Sequence, residues 1–259
     1  MADTTDPTVV LVHGVPETPA LWQPLIHSFR QRGIDRVRTL APPGFGAQLP
    51  ADFSPSADAY AEWLVAELER LDADGAGPID IVGHDWGAGH VYRLMAERPD
   101  LVRSWVADIA GLLHPDYRWH DMATMWQRPD VGEQVIEAMV SPPLADRVAL
   151  LTGLGLPDDM AAEIAPAINP DMGRAILALY RSAPESALQV LADRLAASDH
   201  RPGAIITAAD DAYVAADLAP AVAERLGVPE LRLEGQGHWW MVSDPDGAAE
   251  QLVSFWSSL

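Results

Sequence analysis

Short apolar runs alternate along most of this chain with amphipathic stretches, and no other feature restricts its possible folds so much. Runs such as Val9-Val10-Leu11-Val12 and Ile79-Asp80-Ile81-Val82 are brief and rich in β-branched residues, so they read as buried strands. Strands are expected at 8–12, 36–40, 79–82, 105–109, 204–207 and 230–233, and helices at 20–32, 56–71, 86–98, 217–226 and 245–256. In the first of these helices Trp22, Leu25, Ile26 and Phe29 fall on one face. Such alternation builds βα units on a parallel sheet. From Gly111 to His200 the rhythm breaks: the sequence is helical in character and punctuated by prolines, among them Pro129, Pro142-Pro143, Pro157 and Pro170. Because this stretch separates two core strands, it is expected to be a helical lid over the C-terminal edge of the sheet, where open α/β sheets place ligands. The expected organisation is a core of residues 1–110 and 201–259 with a cap at 111–200, an α/β unit whose mostly or wholly parallel sheet has about six strands. The strand at 36–40 falls at an edge, where Arg36 and Arg38 discourage pairing with another sheet.

Composition removes several chemistries. There is no cysteine, so disulfides, thiolate catalysis and thiolate metal sites are excluded. All 17 basic residues are arginine, which excludes a lysine Schiff base. A net charge of -21 repels nucleic acid and anionic lipid. No apolar run approaches the roughly 20 residues of a membrane helix, and Met1-Ala2-Asp3-Thr4-Thr5-Asp6-Pro7 has neither a basic nor an apolar leader segment. The expectation is a cytoplasmic protein, monomer or homodimer, with no nucleic-acid or membrane partner.

Three local patterns carry chemistry. In Ile81-Val82-Gly83-His84-Asp85-Trp86-Gly87-Ala88-Gly89 a strand enters a G-x-nucleophile-x-G turn and leaves as a helix. The turn is tight enough that a side chain at Gly83 or Gly87 would strike neighbouring backbone, and it presents Asp85 at a helix N-terminus that favours its anion. The competing reading is an aspartate that merely caps the helix. In Val9-Val10-Leu11-Val12-His13-Gly14-Val15-Pro16-Glu17 a strand ends in His-Gly, after which the amide of Val15, with that of Trp86, would form an oxyanion hole. In Gly235-Gln236-Gly237-His238-Trp239-Trp240 the glycines let a loop return His238 over the sheet edge as a general base. The other seven histidines are taken as solvated or capping residues.

All three patterns stand in order, each after an expected strand. With them, and with Pro43-Gly44-Phe45-Gly46, the chain resembles the α/β-hydrolase fold superfamily over nearly its whole length, specifically the aspartate-nucleophile branch that holds epoxide hydrolases and haloalkane dehalogenases. That resemblance implies a triad acid after the penultimate strand, commonly as G-x-x-D. Here Ala208-Ala209-Asp210-Asp211 replaces the glycine, and the spacing to Val214 favours Asp211 over Asp210; Asp108, after the fourth strand, is a third candidate. It also implies lid acids for an epoxide oxygen. Leu179-Tyr180-Arg181-Ser182 resembles the segment carrying one ring-opening tyrosine, so Tyr180 is that candidate, its competing role being a packed lid aromatic. The second tyrosine of the family has no counterpart: its position falls near Met122, before Met125-Trp126-Gln127-Arg128-Pro129, with His120 or Tyr117 as substitutes. His13, His120, Trp126 and Trp239 are further candidates for substrate contact.

An aspartate is already ionised and can displace a leaving group from saturated carbon, giving an alkyl ester that water, deprotonated by His238, then cleaves. No metal or organic cofactor is required. His13-Gly14-Val15-Pro16-Glu17 is similar to the H-G-x-P-E of epoxide hydrolases, whereas dehalogenases commonly have asparagine where Val15 stands. The expected activity is therefore opening of a small apolar or aromatic epoxide to a diol. The rivals are a haloalkane dehalogenase, a lyase or cyclase using Asp85 and His238 as acid and base without an ester, and a silent ligand-binding member of the fold. A haloacid substrate is disfavoured, because Trp86 and Gly89 occupy the places where its carboxylate would meet arginine.

Overall fold

Six strands form in the computed structural model, which describes residues 6–259: β1 (Thr8–Val12), β2 (Val37–Leu40), β3 (Ile79–Gly83), β4 (Ser104–Ala107), β5 (Gly203–Ala208) and β6 (Glu230–Leu233). The reading of residues 1–5 as free of a leader lies outside the described residues. Every strand pair is parallel and the order is β2-β1-β3-β4-β5-β6, so β2 holds the expected edge. β1, β3, β4 and β5 are buried at every position, as strands covered on both faces must be, whereas the edge strands β2 and β6 are only partly covered. Each fully buried valine, leucine or isoleucine in the inner strands is worth about 1.5–3 kcal/mol. On the open edge Arg38 is exposed, while Arg36 folds back to donate to the Ala76 carbonyl at 2.5 Å.

The core helices are α1 (Gln23–Gln31), α2 (Ala57–Ala73) and α3 (Trp86–Glu97). The first is shorter than the 20–32 expected. Pro24 cannot donate a backbone hydrogen bond and suits only a first turn, so Pro19–Trp22 forms a 3₁₀ turn before it. Its predicted face holds: Trp22, Leu25, Ile26 and Phe29 are all buried. Between β4 and β5 come six helices: α4 (Asp121–Gln127), α5 (Val131–Val140), α6 (Leu144–Gly153), α7 (Asp158–Ile164), α8 (Pro170–Arg181) and α9 (Glu185–Ala197). α4, α5 and α8 pack on one another and α6 on α7, but α9 lies against α3, so the insertion does not stand clear of the core over all of 111–200. After β5 the chain adds α10 (Ala219–Leu226), and after β6 the short α11 (Trp240–Ser243) and α12 (Pro245–Ser257), which packs on α1. No described helix is long and apolar enough to cross a membrane.

This strand order fixes where chemistry is possible. The chain leaves β1 for β2 on one side and returns to β3 on the other, so the connections diverge and a crevice opens beyond the C-terminal ends of β1 and β3. Val12 of β1 is in register with Gly83 of β3, so the loops bearing Val15 and Asp85 meet in that crevice.

Candidate active site

β3 ends at Gly83, α3 begins at Trp86, and Asp85 between them takes φ 50° and ψ -124°. A non-glycine residue there is strained by about 1–3 kcal/mol and persists only where its surroundings dictate it. They do so by close approach: a Cβ on Gly83 would lie 2.7 Å from Ala88 Cα, and one on Gly87 would lie 2.1 Å from the Val12 carbonyl oxygen. The Asp85 side chain makes no capping bond to α3, which sets the capping reading aside. Its Oδ2 instead accepts the Val15 N–H at 2.9 Å, so the amide expected in the oxyanion hole already faces a carboxylate oxygen. Trp86 supplies the first N–H of α3, one of those that no carbonyl within the helix can accept.

The loop after β6 brings His238 to this point. Its Nε2 is 4.0 Å from Asp85 Oδ1 and its Nδ1 is 2.9 Å from Asp211 Oδ2. Asp211 is held in turn by the N–H groups of Tyr213 and Val214, at 2.7 and 3.2 Å on Oδ1. Asp210 is exposed and has no part in this chain of bonds. Asp108 is occupied elsewhere: it accepts the Asp85 N–H at 2.9 Å and the Trp240 indole N–H at 2.8 Å, and it faces His84. Burial would lower the His238 pKa, but the charge of Asp211 and its hydrogen bond lift it above the ordinary histidine value. Burial pushes the Asp85 carboxyl up to about 6, against the pull of His238, so the helix terminus does not dominate as the sequence implied; at neutral pH the group is still mostly ionised.

The histidines depart most from expectation. His13, His84 and His90 are wholly buried rather than solvated or capping. His84 bridges two buried carboxylates, with Nδ1 2.5 Å from Asp108 and Nε2 3.1 Å from Glu17. Burial disfavours its charge, but the two carboxylates outweigh burial and raise its pKa well above the usual value, while His84 draws Glu17 down to about 2. Glu17 also accepts the Gly14 N–H at 2.9 Å and the Trp239 indole N–H at 2.7 Å. One buried imidazolium thus ties together the loops after β1, β3, β4 and β6, with its ring 4.6 Å from that of His238. Glu17, His84 and His238 lie close enough to hold a metal ion, but both ring nitrogens of His84 are spent on carboxylates and Nδ1 of His238 on Asp211.

Above Asp85 and His238 lies an apolar cavity of about 300 Å³, whose walls include Met122, Trp126, Val135, Met139, Leu150 and Tyr180. Val15 and two of the residues expected to touch substrate, His120 and Trp239, also line it. The Trp239 indole is committed to Glu17, whereas the Trp126 indole N–H has no partner among the described residues. His13 stands apart: its side chain is buried beneath the turn, its Nδ1 beside the Gly14 carbonyl, and it lines neither this cavity nor the smaller space beside it. Placed directly after β1, it is enclosed by the neighbouring strand ends. A smaller space of about 20 Å³, reached by Asp85, Trp86, His120 and Tyr180, includes Tyr117, whose buried hydroxyl lacks a partner among the described residues. Burial, with the charge of Asp85, holds the Tyr180 phenol far above its ordinary pKa, so it is a protonated donor. Tyr213, which the motifs gave no reason to single out, lines both spaces with its ring 4.9 Å from that of His238.

Comparison with known proteins bears on the fold and the family. A model described as the alpha/beta hydrolase family matches residues 9–251. The chain is 26% identical over 215 residues to a haloalkane dehalogenase of Mesorhizobium japonicum, a match spanning 77% of this chain and 65% of that protein. It is 34% identical over 121 residues to epoxide hydrolase 2 of Siraitia grosvenorii, 44% of this chain and 36% of the relative. Among solved structures, haloalkane dehalogenase DbeA from Bradyrhizobium elkani superposes with a TM-score of 0.73 at 20% identity, covering 100% of this chain and 93% of that one.

Proposed function

The chain belongs to the alpha/beta hydrolase family, and from that premise we propose that it is a hydrolase of the epoxide hydrolase and haloalkane dehalogenase type, opening an epoxide through an ester of Asp85. The observation that carries the reading is the carboxylate of Asp85, gripped at 2.9 Å by the Val15 N–H beside a histidine backed by Asp211. An Asp85 oxygen bonds to an epoxide carbon as the ring C–O bond breaks, and the released electron pair stays on the ring oxygen, which takes the Tyr180 proton. Water then gives a proton to His238 and bonds to the acyl carbon, while the amides of Val15 and Trp86 hold the oxyanion. Collapse breaks the acyl–oxygen bond; the departing oxygen takes the His238 proton, and the proton of the restored carboxyl group returns to Tyr180. Asp211 orients the imidazole and balances its charge. No step calls for a metal or organic cofactor. Helices α4–α8 serve as the lid, and their apolar walls select a small apolar or aromatic substrate.

One observation favours a second reading. The unpartnered Trp126 indole N–H on the wall of the cavity is a ready donor for a halide, which fits haloalkane dehalogenation by the same nucleophile. A His238→Gln variant mixed with styrene oxide or with 1-bromohexane separates the readings. The epoxide route predicts that Asp85 gains the mass of the intact epoxide; bromide release with alkylation by the bromoalkane alone supports the second, and an unmodified Asp85 with both reagents rejects the covalent route.

A further inference from the structure

We infer that the substrate is an epoxide carrying its bulk on one ring carbon, with hydrogen or at most a trans methyl group on the other, and that Ile109 sets this limit. The inference rests on the epoxide reading above. Two spaces of very unequal size meet at Asp85, of about 300 and about 20 Å³, and Asp85 and Tyr180 line both. The larger is walled by residues of α4, α5 and α6, the smaller by Trp86 of α3, Leu188 of α9 and Ile109, so the two lead away from Asp85 toward different elements. An epoxide attacked by Asp85 while its oxygen faces Tyr180 lies where they join. The groups on a trans epoxide point to opposite faces of the ring, so when one enters the large cavity the other is driven into the small space. A single water needs about 10–15 Å³ of such volume, so the small space has room for about one methyl group.

The walls of the small space cannot readily give way. α3 and α9 pack on each other, and α3 on β3 and β4, so a bulky second group would overpack a close-packed interior. Ile109 closes the space from the loop after β4, with φ 47° and ψ 28°. Left-handed backbone is a true outlier for a β-branched residue. The other two non-glycine residues of positive φ among those described are aspartates, whose short polar side chains suit such backbone better. Strain of this kind persists where the surroundings dictate it, and it gathers at functional sites. Here it sets the Ile109 side chain against the small space and also against a void of about 10 Å³ beside Asp108 and Asp211. One side chain lines both and so keeps them apart.

Values of kcat/KM for styrene oxide, trans-β-methylstyrene oxide and trans-stilbene oxide test the limit, because these differ only in the second group: hydrogen, methyl or phenyl. The parent should take the methyl compound within about tenfold of styrene oxide and the diphenyl compound at least about 100-fold less well, since one methylene too many in a closed pocket already costs about 10–200-fold. Comparable values for styrene oxide and trans-stilbene oxide overturn the inference, as does loss of the methyl compound along with the diphenyl one. Ile109→Gly tests the residue. Glycine adopts this φ without strain, so the variant loses the side chain and keeps the backbone path. The ratio of kcat/KM for trans-stilbene oxide to that for styrene oxide should rise by about tenfold or more. Leu188→Ala, which widens the same space from α9, should move the ratio the same way. General damage to the fold or to Asp85 slows both substrates alike and leaves the ratio where it was. An unchanged ratio in a cooperatively folded Ile109→Gly protein overturns the role of Ile109, and an unchanged ratio in both variants overturns the small space as the limit. Failure of the parent to form an Asp85 ester with styrene oxide would instead refute the epoxide reading itself.

Discussion

Gly14→Ala tests how tightly the loop after β1 holds the reacting carboxylate. A methyl group at residue 14 would fall 2.1 Å from Asp85 Oδ2, 2.5 Å from its Cβ and 2.6 Å from its Cγ, where contacts under 3.0 Å essentially never occur. Relief requires the Asp85 side chain or the loop to move by about 1 Å, and because Val15 donates to the same oxygen at 2.9 Å, that bond must lengthen or break. Displacing a reacting group by about 1 Å costs on the order of 100-fold in rate. Overpacking of this kind costs about 1–3 kcal/mol in stability, a fall in Tm of about 2–12 °C for a chain of this size. Thermal melts by circular dichroism and single-turnover ester formation measure the two effects. Gly153→Ala serves as the control, since nothing lies within 4 Å of a Cβ there. A cooperatively folded Gly14→Ala protein that forms the ester within threefold of the parent rate would refute the argument that Asp85 reacts from this position.

Further outcomes follow from the charges. Asp85 reacts only when ionised, and with its pKa near 6 the ionised share falls from about nine-tenths at pH 7 to about one-tenth at pH 5. Ester formation should therefore slow about tenfold over that interval, and a rate unchanged from pH 5 to 8 in pre-steady-state measurements would contradict it. His238 must be neutral to take a proton from water, and its raised pKa means that ester hydrolysis should speed up as pH rises above the ordinary histidine range; hydrolysis that slows over that range contradicts its role as base. Glu17→Gln leaves the buried His84 charge short of one partner and should lower stability by about 3 kcal/mol, read as a Tm fall of about 6–12 °C. In the parent protein the depressed Glu17 pKa contributes stability at neutral pH that is lost as pH falls from about 4.3 toward 2. An unchanged melting temperature in Glu17→Gln would show that the bridge to His84 carries no net energy.

Much of this fold and part of its site were legible from residue order alone, for identifiable reasons. β1 and β6 were bounded correctly because each apolar run is closed by turn-forming residues, His13-Gly14 after one and Glu234-Gly235 after the other. Asp85, His238 and Asp211 were within reach because each follows a strand, and the strand ends of a parallel sheet share one edge. The cluster around His84 was not, because it depends on register. Gly83 pairs with Ala107, so the residues that follow, His84 and Asp108, become neighbours though 24 positions apart. Glu17, 67 positions from His84, reaches it only because β1 and β3 end together. The same register encloses His13, which a short motif read without neighbours made into a substrate contact.

The backbone at residue 85 lies in a region that costs glycine nothing, and a glycine there would fold this chain more comfortably than the aspartate it carries. Random drift judged by folding alone would therefore tend to erase the carboxylate. A melting temperature higher in Asp85→Gly than in the parent would mark position 85 as one where chemistry and thermostability pull in opposite directions. It would also caution anyone hardening this scaffold against accepting every change that raises its heat tolerance.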